Sequence, residues 1–358
     1  MISADGVLKK IEKKIYKSNV DALLINDSVT IKYLTGFYSS GAFLLISKKE
    51  EPVYFVDSMN ASLAEKPLKN KKIFCIIAHG RVINALMFFL KDKKIRKLAF
   101  NDKDISVREY EMFLHMNAGI KLTEFIGNIA VSDFIDGLRE IKTEKEIAII
   151  RQAAKKTVQI WKEAKKRIKP GFSEKQIAAM IDMMILGHGY KNSFPTIVAS
   201  GENTAYPHAV PTEKKFKKNE HLLVDFGIIL KGYCSDLTRT LYNGRINPQI
   251  EVFKKNVLEA QKKAIKSIKP GVSLARVSKE IIHFFKNKKL DNYVLHGLGH
   301  GVGRNVHEAP FWRYNSPKRF KKGMVITIEP GLYMRNSGGI REEDMVLVTD
   351  RGCEVLTK

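Results

Sequence analysis

The sequence predicts a small α/β domain followed by an α+β domain made of two related halves. Two observations carry that expectation. From Asp21 to about Glu124, short β-type runs (ALLI, AFLLIS, VYFV, KIFCIIA, KLAF) alternate with helical stretches such as Val82 to Leu90, the pattern of a sheet flanked by helices. Further on, RIKPGFSEKQIAAMI at 167–181 and SIKPGVSLARVSKEI at 267–281 align one hundred residues apart, each preceded by a Lys-rich amphipathic helix.

The N-terminal MISADGVLKKIEKKIYK reads as an amphipathic helix with acidic as well as basic residues. Ser132 to Glu140 leads into a long helical pattern beginning near Thr143, which puts the boundary at about Asp136 and gives domains 1–136 and 137–358. No long Gly/Ser linker separates them, as expected of packed domains. In the second domain KPG stops a helix, Ser173 is placed to cap the next, and Gln176 completes a capping box.

Residues 222–230 (LLVDFGIIL) and 233–242 (YCSDLTRTLY) are β-type runs around Lys231-Gly232, a hairpin with a tight turn. A two-residue turn sets Asp225 opposite Thr238 and brings Asp236 to the same face as a diagonal neighbour, roughly 7 to 8 Å away at the backbone. An isolated Asp at such a place is ordinarily a turn carboxylate. Two on one face of an apolar hairpin are costly without a cation.

The next cluster is HGLGHGVGRNVHEAP at 296–310, holding three of the chain's nine histidines: His296, His300 and His307. Its glycines let the backbone bend or approach a site closely, and it lacks the GK[ST] ending of a phosphate-binding loop. The other isolated histidines (His79, His115, His188, His221, His283) read as surface or packing residues. A strand at Met324 to Glu329 and a second from 338 to 349 (GGIREEDMVLVT) follow. In the second, Arg341, Glu343 and Met345 share a face, so Arg341 is placed to orient or neutralise Glu343. Asp225, Asp236, His300, Glu329 and Glu343 thus form a mostly hard, oxygen-rich donor set, suited to a pair of divalent ions such as Mn2+. That chemistry points to a dinuclear hydrolase.

The order of these residues (Asp, Asp eleven residues later, the GHG histidine, the EPG glutamate and the RxE glutamate) resembles the pita-bread metallopeptidases, in their Xaa-Pro aminopeptidase and Xaa-Pro dipeptidase (prolidase) branch. The resemblance covers nearly the whole chain, from YLTGF at Tyr33 to Phe37, through LREIKTEKEIAIIR at 138–151, to the C-terminal strand. It implies a creatinase-like N-terminal domain and a pita-bread catalytic domain, in which two halves related by a pseudo-twofold share a curved antiparallel sheet. It implies five metal ligands, Asp225, Asp236, His300, Glu329 and Glu343, with Asp236 and Glu343 bridging two ions. Mn2+ is the expected metal, with Co2+ or Zn2+ as alternatives. His208 in AYPHAVP and His307 in VHEAP match substrate-contacting histidines, and His296 and Arg341 match supporting positions. A homodimer is implied as well.

The implied reaction is hydrolysis of the bond between an N-terminal residue and a following proline by a metal-bridging hydroxide, with Glu329 relaying the proton to the leaving nitrogen. In prolidase-like relatives an arginine four residues after the VHE histidine reads the dipeptide carboxylate; here that position is Phe311, with Arg313 close by. The expectation is therefore an Xaa-Pro aminopeptidase, with the dipeptidase as the alternative. Arg304 departs from the apolar residue usual after GHGVG; it reads as a solvent-facing arginine, with an effect on substrate preference as the alternative. Methionine aminopeptidase, creatinase-like and catalytically silent binding proteins, and a basic nucleic-acid-associated protein that has kept the peptidase scaffold, are the remaining readings.

Composition agrees with a globular enzyme. The chain has 358 residues, of which 44% are apolar, enough for two domains with a substantial core. No apolar run approaches the ~18 residues of a membrane span, and three cysteines at 75, 234 and 353 have no paired spacing, as expected of reduced thiols in a cytoplasm. The net charge of +24 comes mostly from dispersed Lys. It reads as a solvated surface, with neither nucleic acid nor membrane as the expected partner.

Overall fold

The computed structural model describes residues 4–116 and 119–358. They form two compact units, Met1–Leu138 and Arg139–Lys358. The first helix, α1 (Ala4–Tyr16), matches the amphipathic reading; Met1 to Ser3 lie outside the described residues.

The first unit is built on a six-stranded mixed sheet. Its strands are β1 (Ala22–Ile25), β2 (Phe43–Ser47), β3 (Val53–Asp57), β4 (Phe74–Ala78), β5 (Lys97–Phe100) and β6 (Lys121–Thr123), in the order β4-β3-β2-β1-β5-β6. The central runs are apolar throughout because both faces are covered. Leu23 and Ile25 of β1 pack with α1 and with α2 (Ser28–Thr35), whereas Ala22 and Leu24 pack with α4 (Val82–Asp92) on the opposite face. Helix α2 starts at Asp27, whose carboxylate accepts from Val29 and Thr30 N–H, and it ends at Gly36 with φ 82°, the left-handed stop that glycine adopts freely. Helices α3 (Ala61–Lys69) and α5 (Val107–Met116), the two-residue strands β7 (Phe125–Ile126) and β8 (Ile129–Ala130), and α6 (Val131–Glu140) complete this part of the chain. The segment read as a lead-in at Ser132 to Glu140 is thus a helix of its own.

The second unit carries the repeat. Helices α7 (Glu144–Arg167) and α8 (Glu174–Gly187) are matched by α9 (Pro248–Ser267) and α10 (Leu274–Asn287). Thr143 with Glu146 and Ser173 with Gln176 form complete capping boxes. The same tether follows each KPG: Gly171 N–H donates to Phe216 C=O and Gly271 N–H to Phe320 C=O, both at 2.8 Å. Each helix pair covers its own core, one holding Ile177, Ile181 and Phe226, the other Val277, Ile281 and Ile328.

The strands that follow each helix pair form several short ladders. In the first half these are β9 (Lys191–Asn192), β10 (Ile197–Ser200), β11 (Glu220–Phe226), β12 (Ile228–Leu230), β13 (Tyr233–Cys234) and β14 (Leu237–Asn243). The second half has β15 (His300–Gly301), β16 (Glu308–Phe311), β17 (Val325–Ile328), β18 (Gly331–Met334), β19 (Gly338–Arg341), β20 (Asp344–Val348) and β21 (Cys353–Val355). The predicted hairpin keeps one register throughout, with Asp225 opposite Thr238 and Leu230 opposite Tyr233. It is not two continuous strands, however. It bends at Gly227, where a Cβ would collide with the Ser235 carbonyl. As a result β11 pairs with β10 and β14, while β12 pairs with β9 and β13. The predicted strand over 338–349 is likewise split, β19 pairing with β18 and β20 with β17. Pseudo-twofold halves with antiparallel ladders are the pita-bread architecture.

Candidate metal centre

Each acidic residue of the centre sits where a strand ends or breaks. Asp225 is the penultimate residue of β11, and Asp236 lies in the bend before β14 with its N–H directed at Met345 Sδ, 3.2 Å away. Glu329 follows β17, and Glu343 fills the gap between β19 and β20. Such places free a side chain from the alternation of a regular ladder. His300 is reached through the glycine run: a Cβ at Gly299 would collide with the Thr327 carbonyl, so only glycine allows that approach.

The result is one cavity of about 530 Å³ whose wall includes all five predicted ligands, His208, His296, His307 and Arg341. Asp236, His300 and Glu343 each place a ligand atom within 4.8 Å of the other two. His300 Nε2 lies 3.3 Å from Glu329 Oε1 and 3.7 Å from Asp236 Oδ2.

The electrostatics of this cluster call for cations. Burial first, and then the charges of Glu343, Asp225 and Glu329, push the Asp236 carboxyl well above its usual range. Glu343 is raised in the same way by burial, Glu329 and Asp225. Glu329 is pushed up to about 7, mainly by burial. Burial, with help from His307, lowers His300 to about 3. His300 Nδ1–H donates to the Gly301 carbonyl at 3.1 Å, which leaves the Nε2 lone pair facing two carboxylates. A lone pair against carboxylates is repulsive unless a proton or a metal cation stands between them. Asp225 Oδ1 is also buried with no hydrogen-bond partner. The donor set therefore fits divalent metal.

Arg341 organises the rim of this cluster. Its Nη2 donates to Asp225 Oδ2 at 2.7 Å, its Nη1 to Tyr333 Oη at 2.9 Å and to the Pro207 carbonyl at 3.1 Å, and its Nε to Thr238 Oγ1 at 3.1 Å. The sequence reading paired Arg341 with Glu343. The structure pairs it with Asp225 instead and connects it to Glu343 only through Thr238, whose hydroxyl donates to Glu343 Oε2 at 2.7 Å. The break between β19 and β20 turns Arg341 toward the other half.

His296 Nδ1–H donates to the Gly297 carbonyl, and its Nε2 accepts from Tyr333 Oη, each at 2.8 Å. His208 and His307 are exposed in the cavity, with the His307 ring edge-on to His300 at 4.2 Å between centroids. Arg304 is not among the cavity-lining residues. Its guanidinium lies 4.4 Å over the Tyr233 ring, which removes the reason to assign it a part in substrate preference. Sequence reasoning missed Tyr333 and the role of Thr238. The hairpin register already set Thr238 opposite Asp225, whereas a lone tyrosine in a four-residue strand carries no local signal.

Residues 148–350 match the model of Metallopeptidase family M24, and residues 8–141 match the Creatinase/Prolidase N-terminal domain. The chain belongs to metallopeptidase family M24. This M24 chain is similar to the Xaa-Pro dipeptidase of Pyrococcus furiosus, with 31% identity over 358 residues covering 98% of this chain and 97% of that one. Its structure resembles that of an Xaa-Pro dipeptidase from Bacillus anthracis, with a TM-score of 0.91, 30% identity and coverage of 99% and 98%. It also resembles the X-Pro aminopeptidase from Thermotoga maritima, with a TM-score of 0.84, 29% identity and 97% coverage of each chain. Members of this family bind divalent metals, and the M24 region holds the whole cluster described above. Among the described residues no helix is long and apolar enough to cross a membrane.

Proposed function

We propose that this M24 metallopeptidase hydrolyses the bond between an N-terminal residue and a following proline, and that Xaa-Pro dipeptides are its best substrates. The carrying observation is the single cavity that joins the five-ligand cluster, His208, His307 and Arg313. Asp225, Asp236, His300, Glu329 and Glu343 would hold two divalent ions. Two such ions, Mn2+ by the hardness of the donors, supply a Lewis acid for the scissile carbonyl and a water of lowered pKa.

The side chains do the rest. The exposed His208 and His307 donate hydrogen bonds to the substrate carbonyl, whose oxygen gains charge as the bond is attacked. A proline nitrogen carries no hydrogen in the peptide, so breaking its C–N bond requires a proton. Glu329 sits on the cavity wall beside His300 and passes that proton to the nitrogen. Arg341 holds Asp225 and, through Tyr333, His296, so that the ligands keep their directions.

Arg313, stacked over the Phe311 ring at 5.6 Å, brings a guanidinium to the cavity wall, where it is available to a free carboxylate of a dipeptide. Names of the relatives favour the dipeptidase as well. The second reading, an aminopeptidase, draws on Phe311 itself, which takes the place of the arginine expected four residues after His307 and presents a 40% exposed aromatic surface to longer peptides. Hydrolysis of Ala-Pro, Ala-Pro-amide and Ala-Pro-Ala by Mn2+-loaded protein separates the two. The dipeptidase reading expects Ala-Pro to be preferred and Arg313→Ala to raise KM for Ala-Pro alone; a preference for Ala-Pro-Ala transfers the assignment to the aminopeptidase. Absence of metal-dependent cleavage of all three overturns the proline-specific reading.

A further inference from the structure

We infer that Glu308 is a positioning residue for His307, anchored by a buried ion pair with Lys142. The inference rests on the proposal that His307 contacts the substrate. Among the described residues no hydrogen bond holds the His307 ring, so its place in the cavity rests on its edge-on contact with His300 and on the backbone on either side. That backbone is fastened through the next side chain. Glu308 Oε1 accepts from the Lys142 ammonium at 2.8 Å, with the two side chains only 3% and 2% exposed, and Arg139 Nε lies 3.8 Å from Glu308 Oε2.

The same carboxylate closes the loop that leads to His307. Glu308 Oε2 accepts from Asn305 N–H at 3.3 Å, and Gly303 N–H donates to the Asn305 carbonyl at 3.0 Å. A Cβ at Gly303 would collide with the Glu308 carboxylate, so the loop backbone lies directly on it. The Gly303 carbonyl in turn accepts from Cys234 N–H at 2.7 Å, two residues before Asp236. On the other side, Lys142 N–H donates to the Gly323 carbonyl at 2.9 Å, at the start of the segment that ends in Glu329. One buried pair therefore ties the His307 loop to both halves of the ligand cluster.

Stability alone is a weak reason for such a pair, because desolvating two charges offsets most of their attraction. A geometric role accounts for it better: two buried cations and one backbone N–H hold the carboxylate in place, and the histidine next to it in sequence inherits the restraint. Displacing a catalytic group by about 1 Å costs roughly 100-fold in rate.

The test is Ala-Pro turnover by the full-length Mn2+-loaded protein carrying Glu308→Gln, Lys142→Met, or the apolar pair Lys142→Met/Glu308→Met. Each is made alone and together with His307→Ala, with bound Mn2+ and the melting temperature measured alongside. Each change is expected to lower kcat by roughly 10- to 100-fold with KM nearly unchanged. Added to His307→Ala, each should cost nothing further, since the geometry it protects is already gone. Lys142→Arg, which keeps the charge, should retain turnover. The apolar pair leaves no unpaired buried charge, so it separates lost geometry from lost folding. Parental kcat in Glu308→Gln, or losses that multiply with that of His307→Ala, would make the pair an ordinary structural contact and overturn the inference. Full turnover in His307→Ala by itself would instead remove the role assigned to His307, and this inference with it.

Discussion

Asp236, like Glu343, carries part of the cost of the metal-free site, because burial and three neighbouring carboxylates oppose its ionisation. Asp236→Asn should therefore have two effects of opposite sign. Metal-free protein should melt at an equal or higher temperature, while the rise in melting temperature on adding Mn2+ shrinks and turnover disappears. Unchanged Mn2+ affinity would end its assignment as a ligand. His221, far from the metals in role, makes a separate prediction. It is buried beside Thr204 Oγ1 at 2.8 Å, and burial lowers it from 6.5 to about 4. Its neutral form is favoured in the folded state, so the unfolded chain takes up the proton first as pH falls. Stability should thus drop between pH 6.5 and about 4, by at most about 3 kcal/mol from this group, and level off below. Denaturant titrations of the parent and His221→Gln should diverge across that window only; parallel curves would refute the prediction.

At the scale of elements, the bent hairpin decides whether the two aspartates meet. Its turn has φ 50° at Lys231 and 81° at Gly232, the left-handed pair that a type I′ turn requires. Its bend depends on Gly227, whose missing side chain leaves room for Ser193 and the Ser235 carbonyl. Gly227→Ala should force the Asp225 and Asp236 segments apart, costing about 3 kcal/mol of stability and weakening Mn2+ binding more than a distant substitution of equal cost. Calorimetric Mn2+ titration beside a chemical melt checks both. An unchanged affinity would show that the bend does not set the ligand spacing.

On the scale of the whole molecule, the apolar clusters divide cleanly. Two contain only residues up to Leu138, and three contain only residues from Ile147 onward. Each unit thus has its own core and the means to unfold as its own transition. All five proposed ligands belong to Arg139–Lys358. Removing metal with a chelator should shift the transition of that unit alone, by about 2.7 kcal/mol for a metal held at one hundred times its Kd. Differential scanning calorimetry with and without chelator reads this directly; equal shifts of two transitions, or one transition throughout, would contradict it.

What the sequence determined by itself was everything governed by a local period. The alternation of apolar runs carried the sheet of the first unit, the KPG stops and capping residues carried the paired helices, and period-two alternation across a two-residue turn set Thr238 opposite Asp225. The types and order of the five proposed metal ligands were also legible, because unpaired charges at apolar strand ends are conspicuous. Tertiary structure alone decided the partners. Arg341 meets Asp225 across 116 residues, Glu308 meets Lys142 across 166, and Tyr333 falls between Arg341 and His296. No periodicity of the backbone encodes such meetings. They follow from how two halves pack over separate cores, which determines where a broken strand turns its next side chain.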